Sequence, residues 1–199
     1  MTAKTYLGDI IGGSIMLRES RLIAQLLLQH PDDEAWERAV VEENLLQKSS
    51  VHSAKRMAST VRKRLEAMSD TFWTDLLNAP DDLARQMLML AVMCQSPVLI
   101  DFMATEVADA RRMYREAIRS EDWPEFFASR QRVITGLERF SPSSIQKMGS
   151  NIFKILADVG YLESARSKRL KAVYLLPEIR EWANRLNCPK AYEAMEAAR

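Results

Sequence analysis

Glycine, proline and cysteine are scarce in this chain of 199 residues, which holds six glycines, seven prolines and two cysteines. With 47% hydrophobic and 28% charged residues, the composition argues against disorder and against a fibrous repeat. The two cysteines, Cys94 and Cys188, form no CxxC motif. We therefore expect them to be reduced, structural thiols of a cytoplasmic protein.

Long hydrophobic runs are also missing. The longest stretch without a charge runs from Gln86 to Ile100, is fifteen residues long and contains Pro97. A membrane-spanning helix needs roughly 20 apolar residues, so this stretch predicts a buried helix and no membrane anchor. The opening sequence MTAKTYLGDIIGG has an apolar run too short for a signal peptide. These patterns predict a cytoplasmic protein that does not bind membranes.

Motifs that carry catalysis are absent as well. The sequence contains no GxSxG, GxxxxGKS/T or GxGxxG motif, so neither a nucleophile elbow nor a phosphate-binding glycine loop is expected. The two histidines, His30 and His52, have no second metal-ligating side chain at a suitable spacing. The sequence therefore predicts a protein that is not an enzyme and that uses no metal ion or other cofactor.

Helical periodicity dominates most of the chain and predicts a mainly α protein, a compact helical bundle formed by residues 1–199 as a single unit. Pro97 marks the start of a helix that the pattern extends over Val98–Arg119. Ser141 is suited to the N-cap of a later helix and Gly160 to its end.

The pattern changes only after Gly160. Leu170–Leu176 is rich in β-prone residues and follows a polar stretch. This change predicts a small β-hairpin near the C-terminus, resembling the wing of a winged helix. It also allows a division into a helical bundle over residues 1–122 and a helix–hairpin–helix part over residues 123–199.

Positive charge gathers in one stretch, although the net charge of the chain is only +1. From Asn44 to Leu65 there are six basic residues, no acidic residue and therefore no neutralising i,i+4 pair. A helix is expected over about Ser53–Met68, because apolar residues recur there at helical spacing: Ala54, Met57, Ala58, Val61, Leu65 and Met68. The predicted outward face then consists of basic and hydroxyl side chains: Lys55, Arg56, Ser59, Thr60, Arg62, Lys63 and Arg64.

A second basic stretch lies in the predicted hairpin, where no acidic residue occurs between Ser164 and Pro177. Basic side chains interleaved with hydroxyl groups are typical of phosphate recognition. A surface for an acidic partner protein and an ordinary solvated face are the alternatives. The candidate nucleic-acid-binding residues are Lys48, Ser53, Lys55, Arg56, Ser59, Arg62, Lys63, Arg64, Arg166, Lys168, Arg169 and Lys171.

Three segments together resemble one protein family. They are GGSIMLRESRLIAQLLL, VEENLLQKSSVHSAKRMASTVRKRL and IFKILADVGYLESARSKRLKAVYLLPEI. In this order they are similar to the BrxA family, the small component of BREX bacteriophage-exclusion systems, and they cover more than half of the chain. The central part, about Asp70 to Phe140, is similar only in its helical character.

The resemblance implies a compact, mostly helical, non-enzymatic protein encoded beside a DNA methyltransferase, an ATPase and an alkaline-phosphatase-like protein. Family members are thought to bind DNA, and their fold is similar to that of the RNA-binding antitermination factor NusB. The expected function is phosphate-directed binding of duplex DNA within an antiviral, phage-resistance system, with other BREX proteins as partners. A protein–protein adaptor within the BREX complex and NusB-like RNA binding stay open as alternatives.

Overall fold

A computed structural model describes all 199 residues, and most of them lie in helices. In chain order the helices are α1 (Ala3–Leu7), α2 (Leu17–Leu27), α3 (Asp33–Glu37), α4 (Val51–Glu66), α5 (Asp70–Asn78), α6 (Asp81–Gln95), α7 (Pro97–Phe102), α8 (Ala108–Arg112), α9 (Asp122–Gln131), α10 (Pro142–Val159), α11 (Pro177–Arg185) and α12 (Pro189–Ala197). The π-helical turn Arg38–Glu42 extends α3, the π-helical turn Met103–Val107 joins α7 to α8, and a 3₁₀ turn covers Leu137–Arg139. The prediction of a mainly α protein is confirmed.

Hydroxyl side chains cap several of the helices. The hydroxyls of Ser50, Ser69 and Ser141 each accept a hydrogen bond from the backbone N–H three residues later. Each bond satisfies one of the N–H groups that the first turn of a helix leaves unpaired. Gly160 follows α10 with a φ of 98°, a conformation that other residues adopt only with strain. The predicted start and end of α10 are therefore confirmed.

Helix α6 lies at the centre of the molecule. Nine of its side chains, between Ala84 and Met93, are buried, and it packs against α4, α5, α10, α11 and α12. Both ends of the chain reach this centre, because α1 and α12 each pack on α7, which follows α6. The buried hydrophobic side chains form one cluster that extends from Ala3 to Ala198. The predicted buried helix around Gln86 is therefore present.

No single helix is both long enough and apolar enough to cross a membrane. Helix α6 and the helical stretch Pro97–Arg112 meet the length and composition criteria only when they are taken together. The two are bent against each other by 110°, so the long uncharged run of the sequence is divided by a sharp corner at Ser96 and Pro97.

The predicted C-terminal β-hairpin, with its resemblance to a winged-helix wing, is absent, and that prediction is wrong. Only isolated bridges occur, one between Ala117 and Arg169 and one between Leu162 and Leu170. The residues concerned form a loop that folds back on itself after α10. We refer to Ser164–Lys171 as the basic loop.

The segment after the basic loop forms no strand because its backbone groups have other partners. The side-chain amide of Gln86, in α6, donates a hydrogen bond to the carbonyl of Tyr174 at 3.0 Å. The same amide accepts the N–H of Leu176 at 3.1 Å. A buried side chain from the central helix thus replaces the ladder that a hairpin would supply.

The predicted helix over Val98–Arg119 ends early, at Arg112. The chain turns at Tyr114, where φ is 54°, and two arginines beyond the turn converge on the buried carboxylate of Asp122. Arg115 and Arg119 donate to this carboxylate at 2.9 and 2.7 Å. Their contacts hold the turn that brings α9 back onto the bundle.

Candidate nucleic-acid interface

Helix α4 places its apolar stripe against the core as the sequence predicts. Ala54, Ala58, Val61 and Leu65 are all at most 2% exposed, and Met57 packs against the core from a half-buried position. This stripe fixes the rotation of α4 about its axis. The side chains of the opposite face are therefore positioned as a set.

Arg64 and Thr60 are exceptions to the predicted outward face, and for them the prediction is wrong. The side chain of Arg64 is 3% exposed and its Nε lies 3.2 Å from Oδ2 of Asp9. Its terminal nitrogens donate to the carbonyls of Gly13 and Ser14 at 3.1 and 2.6 Å. Both residues lie at the edge of the apolar stripe, which other parts of the chain cover.

The electrostatics of the Asp9–Arg64 pair reflect its partial burial. Burial raises the pKa of the Asp9 carboxyl, and the guanidinium of Arg64 opposes that rise. Burial likewise lowers the pKa of Arg64, against the attraction of Asp9. Arg64 is thus a structural cation that ties the N-terminal segment to α4, and its charge is not offered to solvent.

Three more basic side chains of the first stretch are paired with acids inside the molecule. Lys48 lies 2.8 Å from Glu19 and Lys55 lies 2.5 Å from Glu37. Arg62 pairs with Glu66 at 2.5 Å and also stacks on the Trp36 ring, with its guanidinium carbon 4.2 Å from the ring centroid. The acidic partners, Glu19, Glu37 and Glu66, all lie outside the acid-free stretch Asn44–Leu65. The composition of that stretch alone therefore gives no sign of these pairs.

Fewer basic side chains of α4 are free of ion pairs than the sequence suggests. Arg56 and Lys63 are exposed and form no ion pair, and Ser59 is exposed beside them. Ser53 is half-buried and accepts a hydrogen bond from the Ser50 hydroxyl. Of the predicted binding residues on α4, two cations and one hydroxyl are therefore exposed and without an ion-pair partner.

The basic loop differs from α4 because none of its basic side chains is paired with an acid. Arg166, Arg169 and Lys171 are exposed, Lys168 is half-buried, and none of the four forms an ion pair. Nζ of Lys168 lies 3.2 Å from the Ser120 hydroxyl and 5.2 Å from the Phe153 ring centroid. These contacts hold Lys168 against α10 and leave its charge uncompensated by any carboxylate.

Two lysines of α10 extend this surface, and the sequence analysis missed them. Lys147 and Lys154 are exposed, form no ion pair, and stand seven residues apart, which places them on one face of the helix. A signal was present, because no acidic residue occurs between Glu138 and Asp158.

A cleft of about 760 Å³ lies between α9, α10 and the basic loop. It combines aromatic walls with basic side chains: Trp123, Phe127, Phe153, Arg166 and Lys168. Trp123 fits closely against α10 because Gly149 has no side chain, since a Cβ atom there would lie 2.4 Å from Cδ1 of the indole. The indole Nε1 donates to the carbonyl of Ile145 at 2.7 Å, which fixes this wall of the cleft.

The segment Asp9–Ser14 separates the free cations of α4 from those of α10. On one side it receives the hydrogen bonds of Arg64. On the other side the Asn151 amide of α10 donates to the carbonyls of Ile10 and Ile11, each at 2.9 Å. The segment is therefore a spacer that contacts both α4 and α10.

No three side chains of His, Cys, Asp or Glu are grouped closely enough to hold a metal ion. His30 pairs instead with Asp70, at 3.2 Å, and its ring lies 6.5 Å from that of Trp73. His52 is exposed near the start of α4. The candidate site is thus a surface of unpaired basic side chains beside a cleft.

Comparison with known proteins matches the chain to one family over almost its whole length. The family model described as BrxA matches residues 4–187. A protein of Escherichia coli O9:H4 (strain HS) named BREX protein BrxA is 41% identical over 98% of this chain and 92% of its own length. One of the same name from Paramagnetospirillum magneticum is 32% identical over 94% of each chain. The crystal structure of an uncharacterized protein from Magnetospirillum magneticum superimposes with a TM-score of 0.84 at 29% identity, covering 97% of this chain and 99% of that one.

Proposed function

The chain belongs to the BrxA family, and we propose that it binds duplex DNA through its phosphates as a component of a BREX phage-defence system. Relatives named as BREX proteins over almost the whole chain support the role in such a system. Binding by charge alone would be largely independent of DNA sequence, because phosphates carry no base identity. The protein would act in the cytoplasm without catalysis of its own.

The observation that carries this proposal is the contrast in ion pairing between the two basic surfaces. Four of the six cations between Lys48 and Arg64 have an acidic partner within the molecule. The four cations of the basic loop and the two lysines of α10 have none. An ion pair must be broken before its cation can contact a phosphate, so unpaired cations bind phosphate at lower cost.

The proposed interface therefore centres on the basic loop and on Lys147 and Lys154 of α10. Arg56 and Lys63 of α4 lie beyond the Asp9–Ser14 spacer and would reach phosphates on the flank. If roughly four to six of these charges meet phosphates, log affinity should fall against log salt with a slope of about −4 to −5. Hydroxyl groups such as that of Ser59 add short hydrogen-bond donors.

An adaptor role is the second candidate, and the cleft beside the basic loop favours it. Aromatic walls next to unpaired cations suit an acidic protein segment with an apolar anchor residue. The hydrogen-bonding groups of the cleft are largely engaged: Ser150 donates to the Gln146 carbonyl and Gln131 to the Leu137 carbonyl. Few groups therefore remain that could form hydrogen bonds with the polar edge of a base. An apolar side chain of a partner protein fits such a cleft better than an unstacked nucleotide does.

A salt-dependent binding titration tests the proposal. Fluorescence anisotropy of labelled duplex DNA, single-stranded DNA and RNA would be measured at several salt concentrations with three proteins. The first is the wild type, and the second carries Arg166→Gln, Arg169→Gln and Lys171→Gln. The third is a matched control that removes three exposed cations elsewhere, with Lys4→Gln, Arg180→Gln and Lys190→Gln.

We expect the loop variant to bind duplex DNA with a slope shallower by up to about 3 units, and equally so for unrelated DNA sequences. The control should keep the wild-type slope. A loop variant that is folded by circular dichroism and binds with the wild-type slope would contradict the proposed interface. Tighter binding of RNA than of duplex DNA would favour the RNA alternative, and an absence of salt-dependent binding to any nucleic acid would favour the adaptor.

A further inference from the structure

The turn that follows α8 exposes two large apolar side chains. Met113 is 72% exposed, and Tyr114, at 93%, is the most exposed of the large hydrophobic residues. Single apolar residues are common on protein surfaces, but here two neighbours stand together on one turn. Neither belongs to the hydrophobic core, so the fold itself makes little use of them. We refer to Met113 and Tyr114 as the apolar turn.

The backbone at Tyr114 is held in a strained conformation. Its φ is 54°, in the left-handed region that glycine and asparagine enter readily and a bulky residue rarely. The N–H of Tyr114 donates to the carbonyl of Arg111 at 3.0 Å, which closes the end of α8. The N–H of Arg115 donates to the carbonyl of Ala110 at 2.9 Å. Strain of this kind clusters at functional sites, and here it presents an aromatic side chain to the solvent.

Backbone hydrogen bonds join the apolar turn to the basic loop. The N–H of Leu170 donates to the carbonyl of Glu116 at 2.8 Å. The N–H of Ile118 donates to the carbonyl of Lys168 at 3.0 Å. The chain just after the turn and the basic loop are therefore paired, and a ligand bound by the cations of the loop lies beside the apolar turn.

The charge around the apolar turn is positive on balance. The four unpaired cations of the basic loop stand against two exposed acids nearby, Glu116 and Glu163. Arg112, next to the turn, is paired with Asp109. A ligand that fits this surface combines negative charge with apolar faces. Duplex DNA has both, since phosphates line its backbone and apolar base faces are stacked within it.

We propose that the apolar turn is a wedge, which inserts into the minor groove of duplex DNA and opens a base-pair step while the basic loop contacts the flanking phosphates. Apolar side chains inserted from this groove partly unstack the base pairs and kink the duplex by about 20–90°. The ring of Tyr114 supplies a face on which an unstacked base can stack. The inference rests on the proposed DNA binding and adds to it a bend that the protein imposes on the duplex.

Measurement of DNA bending tests the inference. A short duplex that carries a fluorescent donor at one end and an acceptor at the other reports its end-to-end distance by energy transfer. The wild type is compared with a wedge variant that carries Met113→Ser and Tyr114→Asn. Asparagine tolerates the left-handed backbone and neither side chain is in the core, so the wedge variant should fold, as circular dichroism would check. Val133→Ser, at another position that is 72% exposed, is the matched control.

We expect the wild type and the control to shorten the end-to-end distance to that of a duplex bent by about 20–90°. The wedge variant should leave the duplex straight, yet its affinity should fall with salt at the wild-type slope, because no cation has been removed. A duplex with one central mismatch costs less to unstack, so the wild type should bind it roughly tenfold more tightly than the matched duplex. The wedge variant should bind the two duplexes about equally.

Three results would overturn the inference and leave the proposed DNA binding intact. One is a wild type that binds the duplex and leaves it straight, and another is a wedge variant that bends the duplex as the wild type does. The third is a wedge variant whose oligomeric state differs from that of the wild type by light scattering, because the turn would then be a contact between copies. Failure of the proposed function is distinct, since the wild type would then bind no duplex at any salt concentration.

Discussion

Nε of Arg64 lies 3.2 Å from Oδ2 of Asp9, and this ion pair joins α4 to the N-terminal segment while the arginine side chain is only 3% exposed. The same guanidinium also donates to the carbonyls of Gly13 and Ser14. The Arg64 side chain therefore donates hydrogen bonds to one carboxylate and two carbonyls that are partly shielded from water. The pair belongs to the scaffold, beside the surface that we propose for DNA.

Replacement of Arg64 by methionine should destabilise the protein strongly. The change leaves the partly buried carboxylate and the two carbonyls without their donors, and we expect a loss of about 3 kcal/mol in the free energy of unfolding. Urea unfolding measures this loss. The matched control is Arg56→Met on the same helix, which removes an exposed, unpaired cation and should change stability by less than about 0.5 kcal/mol. Equal losses in the two variants would contradict a structural role for Arg64.

The Asp122→Asn variant should lose stability in a pH-dependent way. Burial alone would raise the pKa of Asp122, but hydrogen bonds from Arg119 and the charge of Arg115 hold that pKa below 3.8. Since the folded-state pKa is the lower one, the carboxylate contributes stability above pH 3.8, and the contribution is lost as pH falls from there through the folded-state pKa.

At pH 7 the Asp122→Asn variant should be about 2 kcal/mol less stable than the wild type. The difference should stay constant down to about pH 5 and shrink at more acidic pH. Urea titrations at a series of pH values measure it. The Glu121→Gln variant serves as control, because that side chain is exposed and next in sequence. A difference that does not change with pH would show that the carboxylate charge is not the cause.

Substitution of Gly149 by alanine should disturb the wall of the cleft. The new Cβ would lie 2.4 Å from Cδ1 of Trp123 and 2.8 Å from its Cγ, so the indole must move. We expect a loss of about 1–3 kcal/mol in stability and a changed tryptophan emission spectrum. The Ser150→Ala variant, at an exposed neighbouring position, should leave both unchanged. Wild-type emission and stability in the Gly149→Ala protein would show that the indole has room to shift.

The Gln86→Leu variant should release the segment after the basic loop. Without the amide, the carbonyl of Tyr174 and the N–H of Leu176 lose their partners, at a cost of about 2 kcal/mol in stability. Hydrogen exchange at the Leu176 amide should accelerate more than exchange at amides elsewhere in the chain. Gln25→Leu, at an exposed position of α2, controls for the general effect of the substitution. Unchanged exchange at Leu176 would contradict the role of Gln86.

The sequence predicts α4 well and its environment poorly. The apolar spacing of Ala54, Val61 and Leu65 is enough to find the buried face, because helical periodicity is local. Whether a side chain at the edge of that face is covered depends on a segment elsewhere in the chain. Arg64 is covered by residues near Asp9, and no local pattern contains that information.

The same limit explains the overestimate of free charge on α4. The acid-free stretch ends just before Glu66, which forms an i,i+4 pair with Arg62 that was not expected. Glu19 and Glu37 come from other helices and neutralise Lys48 and Lys55. The basic loop differs because its four cations form no ion pair, although the Glu163 carboxylate accepts a hydrogen bond from the Ser167 hydroxyl. The β-prone segment Leu170–Leu176 led to the wrong prediction of a hairpin. The side chain of Gln86 supplies hydrogen bonds to this segment that a neighbouring strand would otherwise provide.

The packing of both α1 and α12 on α7 has a consequence for biosynthesis. Synthesis produces α1 before α7 and α12 well after it, so the surface of α7 that α12 covers stays open until α12 has been made. The nascent chain can form helices as it grows, but this part of its core cannot close before α12 emerges. Each molecule therefore passes through a stage in which an apolar surface of α7 is exposed.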